Sequence, residues 1–247
     1  MRRKEQKIIY LHLMGRIGNQ LFEYAFAYSL QQEYGNALIV VDESEVIKDD
    51  WKDSLRDYNL IDVEYVNSVG KSFPSFQMKK RIFKLYQKFI YNTNPVVQLS
   101  KEKKYQRLLN KLGLIAIEKG YAHYQLNRSA DVYVYGYYQS ERYFEKYKND
   151  IKRLFDLTEQ LYLKDYPNIR KIEERNTVCL SIKIEGNYYS PDYNICDANY
   201  YRKAVEYMVN NLENPLFFVC SDDLKKAKEL FLKDFDRSEE RRVGKEC

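Results

Sequence analysis

Gly15-Arg16-Ile17-Gly18-Asn19-Gln20 follows directly on the apolar run Ile8-Ile9-Tyr10-Leu11-His12-Leu13. Two glycines three apart, between a strand and a long helical pattern, can take positive φ and let a ligand approach the backbone closely. The helix behind them offers unpaired N–H groups and a positive dipole end to phosphate or sugar oxygens. Asn19 and Gln20 both donate and accept, which suits sugar hydroxyls better than a metal ion. Arg16 can pair with a phosphate in bidentate fashion. The plainer reading has Asn19 capping its helix, Gln20 exposed and Arg16 paired with a surface acid. The spacing fits neither the dinucleotide fingerprint nor a P-loop.

A second group of candidates lies in the last third of the chain. The segment Lys183-Ile184-Glu185-Gly186-Asn187 follows one apolar run and Ser221-Asp222-Asp223 follows another. Both are strand ends of the kind that carry ligands in open α/β sheets. Lys183 can hold a pyrophosphate as a point charge. Ser221 or Asp222 can cap a helix, or a carboxylate can accept from a nucleotide base or ribose. His12 and His123 are the only histidines, and both read as structural rather than as catalytic bases. No nucleophile elbow and no metal-ligand cluster is legible, and Asp222-Asp223 is taken as non-metal.

These residues need a scaffold. Residues 7–13 read as a strand, 19–34 as a helix closed by Gly35, and 37–42 as a buried strand, together a βαβ unit. Met78, Ile82, Leu85, Tyr86, Phe89 and Ile90 share one helical face, with Lys79, Lys80, Arg81, Lys84 and Lys88 elsewhere. Such a helix either lies on an anionic membrane surface or packs on a core with a solvated lysine face, and the second reading is preferred. Residues 131–138 read as a strand ending at Gly136, after which Ser140 is expected to cap a helix reaching Phe155. Residues 157–176 are polar and read as a linker. Strands at 177–183 and 216–220, with helices from Asp197 to Asn211 and from Leu224, form a second α/β pattern. The expected division is an N-terminal half over 1–156, the linker, and a C-terminal half over 177–236.

Composition narrows the class. Of 247 residues 45% are hydrophobic and 31% charged, as in a soluble globular protein. No apolar run approaches the ~20 residues of a membrane span, and no secretory signal is read. The four cysteines have no paired spacing, which points to neither zinc nor a disulfide framework and fits a reducing cytoplasm. The last eleven residues, 237–247, resemble the translation of a common sequencing adapter and are read as non-native; without them the net charge falls from +5 to +4. That positive charge is read as diffuse, which argues against nucleic acid.

Several segments together resemble the bacterial α-1,2-fucosyltransferases, glycosyltransferase family 11. They are Gly15 to Ala25, Arg56-Asp57-Tyr58-Asn59-Leu60, the mid-chain Gly136-Tyr137-Tyr138-Gln139-Ser140-Glu141-Arg142-Tyr143-Phe144, Tyr200 to Ala204, and Asn214 to Asp223. The resemblance covers residues 7–236. It implies two Rossmann-like halves of GT-B type facing across a cleft, the second incomplete here, and transfer of L-fucose from GDP-fucose to a galactose-type hydroxyl with inversion and no metal. The implied partners are a nucleotide sugar and a glycan acceptor, with peripheral contact at the inner face of the membrane as a further expectation.

The resemblance also distributes roles. Lys183, Gly186, Asn187, Ser221, Asp222 and Asp223 would bind the donor. Gly15, Arg16, Gly18, Asn19 and Gln20 would orient donor or acceptor, with Lys183 and Asn19 catalytic. Glu185, Asp222 and Asp223 are base candidates by position. The family's His-x-Arg-Arg-Gly-Asp is altered, with Lys183 on the first arginine, Ile184 on the second and Asn187 on the aspartate. A lysine keeps the charge but loses the fork. Alternatives are therefore a transferase using another nucleotide sugar, or a non-catalytic sugar-binding relative.

Overall fold

The structure, a computed structural model, describes residues 6–156 except 36, 59, 61, 68–72 and 119, then residue 172, residues 174–183 and residues 196–229. The chain divides into two compact units, Met1–Leu157 and Thr158–Cys247.

The first unit is built on a five-stranded parallel sheet. Its strands are β1 (Lys7–His12), β2 (Ala37–Asp42), β3 (Val63–Tyr65), β4 (Leu114–Ala116) and β5 (Val132–Tyr135), in the order β3-β2-β1-β5-β4. β1 and β2 pair in register from Lys7↔Ala37 to His12↔Asp42. Both are continuous apolar runs because both faces of the sheet are covered. The period of two divides the core: Ile9 and Leu11 enter one cluster with Phe26 and Leu30, while Tyr10 enters another with Phe76, Phe83 and Tyr133.

The helix α1 (Ile17–Tyr34) supplies the first cluster. Its end is as expected: Gly35 takes φ +75° and its N–H donates to Gln31 O. Its start is two residues earlier than expected. Gly18 therefore lies in the first turn, outside the positive-φ glycines, and only Gly15 of the pair adopts the left-handed region. A short α2 (Ser44–Lys48) follows β2.

The opposite face is covered by α3 (Pro74–Ile90) and α4 (Pro95–Lys111). The expected apolar face is borne out only in part: Ile82 and Tyr86 pack against the core. α3 buries Phe76, Lys79 and Phe83, while Met78, Leu85 and Phe89 are exposed. Lys79 joins the buried side because its stem packs while its ammonium donates to Leu112 O at 3.3 Å. Nor is the charge diffuse. Residues 74–111 hold ten of the 41 basic residues and one of the 36 acidic ones, a local +9 that leaves −4 for all the rest.

The expected helix from Ser140 is also corrected. Ser140 caps nothing with its side chain, and single 3₁₀ turns at Glu141–Tyr143 and Glu145–Tyr147 precede α5 (Lys148–Leu154). Tyr143 sets the break: its hydroxyl accepts from Ala122 N–H at 2.9 Å and donates to Gly120 O at 3.1 Å, drawing the segment onto the preceding loop.

In the second unit β6 (Thr177–Ile182) and β7 (Leu216–Ser221) pair in parallel, ending at Ile182↔Ser221. Val205 of α6 (Ala198–Asn211) packs on Leu180 and Phe217. Asp197 caps α6 by accepting from Tyr200 N–H at 2.8 Å. After β7 comes the single turn α7 (Leu224–Ala227).

Candidate functional site

The carboxyl edge of the first sheet carries the glycine turn. Beyond β1, Leu13 N–H donates to Asp42 O at 3.0 Å and Met14 N–H to Glu23 Oε2 at 2.9 Å. Gly15 then takes φ +66°, where a Cβ would collide with the Asn19 side chain. Gln20 fixes this turn. It is fully buried, its Nε2 donates to Gly15 O and Lys52 O, both at 2.9 Å, and its Oε1 accepts from Ser54 N–H at 2.8 Å. The amide expected to meet sugar hydroxyls is thus bonded to three backbone groups and shapes the turn. Asn19 does not cap α1. Arg16 is the N-cap residue, without a side-chain cap bond, and it is exposed with no ion pair to any described residue. The turn therefore presents Arg16, Gly18 and Asn19 around an uncapped helix N-terminus, a setting that favours anions.

The mid-chain segment arrives at the same edge from β5. Gly136 takes φ +140°, and a Cβ there would strike Ile117 O. Tyr138, at φ +48°, donates its hydroxyl to Ile115 O at 2.8 Å and Tyr135 O at 2.9 Å and stacks on Phe26 at 4.1 Å between centroids. This contorted backbone delivers Gln139, whose Nε2 donates to Asn19 Oδ1 at 2.7 Å. Two motifs 120 residues apart in sequence meet in that bond.

Two buried ionisable groups lie at this edge, Glu23, which sequence reasoning passed over, and His12, whose partners it did not identify. The first is Glu23, fully buried, with no hydrogen bond to its Oε1 among the described residues. Burial pushes its carboxyl well above the usual range, against the opposing effect of the Met14 N–H. The second is His12, whose Nδ1 lies 3.0 Å from Asp42 Oδ2 and Nε2 2.9 Å from Glu45 Oε2. Lys80 Nζ adds a 2.7 Å contact to Asp42 Oδ2. Burial disfavours the imidazolium, yet the bonds to the two carboxylates outweigh it and raise the His12 pKa. Burial likewise opposes ionisation of Asp42, but His12 and Lys80 hold its pKa far below the ordinary value. The two carboxylates thus favour the protonated imidazole against the cost of its burial. Asp42 and Glu45 lie 30 and 33 residues away, so only the fold discloses the cluster.

In the second unit, Lys183 stands exposed just past β6, and the register places it beside Asp222 just past β7. Ser221 Oγ accepts from Asp223 N–H at 3.2 Å, and Asp223 Oδ1 accepts from Lys226 N–H at 2.9 Å. Asp223 is thus engaged as the cap of α7, while Asp222 is exposed. Glu185, Gly186 and Asn187 lie outside the described residues.

The family model described as Glycosyl transferase family 11 matches residues 8–242. The chain is 26% identical over 242 residues to the O-antigen biosynthesis glycosyltransferase WbnK of Escherichia coli, covering 90% of this chain and 75% of that one. It is 24% identical over 248 residues to an α-1,2-colitosyltransferase of E. coli, covering 94% and 75%. Among solved structures, NodZ α-1,6-fucosyltransferase co-crystallised with GDP shares the fold at a TM-score of 0.50 and 14% identity, covering 95% of this chain and 78% of NodZ. The fucosyltransferase NodZ from Bradyrhizobium matches at 0.50 and 13%, covering 97% and 79%.

Proposed function

The chain belongs to glycosyl transferase family 11, and from that premise we propose that it transfers L-fucose from GDP-fucose to a galactose-type hydroxyl of a glycan, with inversion. The observation that carries this reading is the junction of the Gly15 turn with the Gly136–Gln139 segment through Asn19. It builds an uncapped helix N-terminus and neutral hydrogen-bonding groups at the sheet edge where ligands of α/β folds bind. We read the two units as the two halves of a GT-B transferase, the first serving the acceptor and the second the donor.

Departure of the GDP leaves a diphosphate whose growing charge must be balanced. Lys183 supplies a point charge for it, and Gly186 and Asn187 are assigned to donor binding from the sequence alone. Asp222 accepts from the nucleoside or takes the acceptor proton. Arg16 and Asn19 orient the reacting sugar.

A second reading, transfer of a different sugar, draws on the relative named for colitose and on the single lysine in place of an arginine pair. Donor-only hydrolysis separates the two. Release of GDP from GDP-fucose is expected to exceed nucleotide release from other nucleotide sugars at least about tenfold, and Lys183→Ala to reduce it about 10²-fold. Preference for another donor selects the second reading; an unchanged rate in Lys183→Ala removes Lys183 from the mechanism.

A further inference from the structure

The helices α3 and α4 present a face that no other described residue is seen to cover. α3 has five basic residues and no acidic one. Phe83 and Phe76 point into the core, yet the outer side still carries Met78, Leu85 and Phe89, the last 74% exposed. At helical spacing these three share a stripe with Arg81, Lys84 and Lys88, all exposed. Along the chain the exposed apolar residues continue with Tyr91, then Val96, 79% exposed, and Val97 at the start of α4. Lys103, Lys104, Arg107 and Lys111 extend the cationic surface along α4, and none of these seven cations pairs with a described acid. The one acid in residues 74–111, Glu102, is buried.

Large apolar side chains set among unpaired cations call for a partner that is itself both apolar and anionic. A second copy of this chain would bring +9 against +9. An RNA would satisfy the cations but leave Phe89 and Val96 in water. We propose that the outer face of α3 and the start of α4 dock on a membrane surface containing anionic lipid, with Leu85, Phe89 and Val96 entering the headgroup boundary and Arg81, Lys84 and Lys88 meeting lipid phosphates. A helix of this kind lies in the plane of the interface and does not cross it. No described helix is long and apolar enough to cross.

The inference does not depend on donor chemistry, and its test keeps the two apart. The full chain is floated with vesicles of phosphatidylcholine alone or with about one third phosphatidylglycerol. Binding is expected only to the anionic vesicles. Each neutralised cation in Lys84→Gln and Lys88→Gln should weaken partitioning about fivefold. Leu85→Ser/Phe89→Ser should weaken it at least as much, while donor hydrolysis stays unchanged in all variants. These positions are exposed, so the fold is retained, checked by circular dichroism. Absence of binding to anionic vesicles, equal binding to both vesicle types, or variants that partition like the parent would each overturn the proposal. So would tight binding of single-stranded RNA or self-association through this face in place of vesicle binding.

Discussion

Gly15 and His12 show what single residues at the carboxyl edge contribute. Gly15 is required twice, by its φ and by the Asn19 side chain above it. Gly15→Ala is expected to lower stability by about 1–2 kcal/mol from the left-handed backbone alone, and to depress donor hydrolysis by displacing Asn19. Denaturant midpoints and initial rates check both. His12 makes stability depend on pH. Its folded pKa is raised, so its contribution is complete below the ordinary value of 6.5 and declines as pH rises through the folded value. Asp42 and Glu45 are lowered, so theirs is complete above the ordinary values of 3.8 and 4.5 and declines as pH falls. The cluster therefore contributes most between those limits. His12→Gln is expected to lose about 3 kcal/mol near pH 6, with the gap to the parent narrowing at alkaline pH in thermal melts. Parallel curves across that range would count against the charged assignment. In sequence, Gln20 looked like a ligand group because an amide can bond anything; that it faces inward depends on the loop at Lys52–Ser54, which no local pattern connects to it.

Legibility differed sharply between elements. The unit β1–α1–β2 was readable because continuous apolar runs and a glycine stop leave one interpretation. α3 was not, because Met78, Leu85 and Phe89 are spaced as well as Phe76 and Phe83, and periodicity cannot say which stripe meets the sheet. The interruption after Ser140 was hidden because Tyr143 is held by a loop twenty-one residues earlier. Gly136 makes the corresponding prediction. With φ +140° and Ile117 O in the way of any Cβ, Gly136→Ala should separate β4 from β5 and lower stability by at least about 2 kcal/mol. A variant that melts with the parent would show that this edge relaxes freely.

The two units differ in how much each buries among the described residues. The first has two large clusters around five strands; the second has Leu180, Val205 and Phe217 in one small cluster and Ile182 with Ala227 in another, around two strands. Amide exchange is therefore expected to be slower in β1, β2 and β5 than in β6 and β7, because opening frees less apolar surface in the smaller clusters. Equal protection by mass spectrometry would contradict this. Charge is as unevenly shared as burial. Within the first unit, +9 gathered in one helical layer against −2 over its other residues makes a permanent moment, and a moment turns in a field. Near a negatively charged plane the torque acts from roughly a Debye length away, about 8 Å in physiological salt. Orientation then precedes collision, and raising the ionic strength slows capture before it loosens hold.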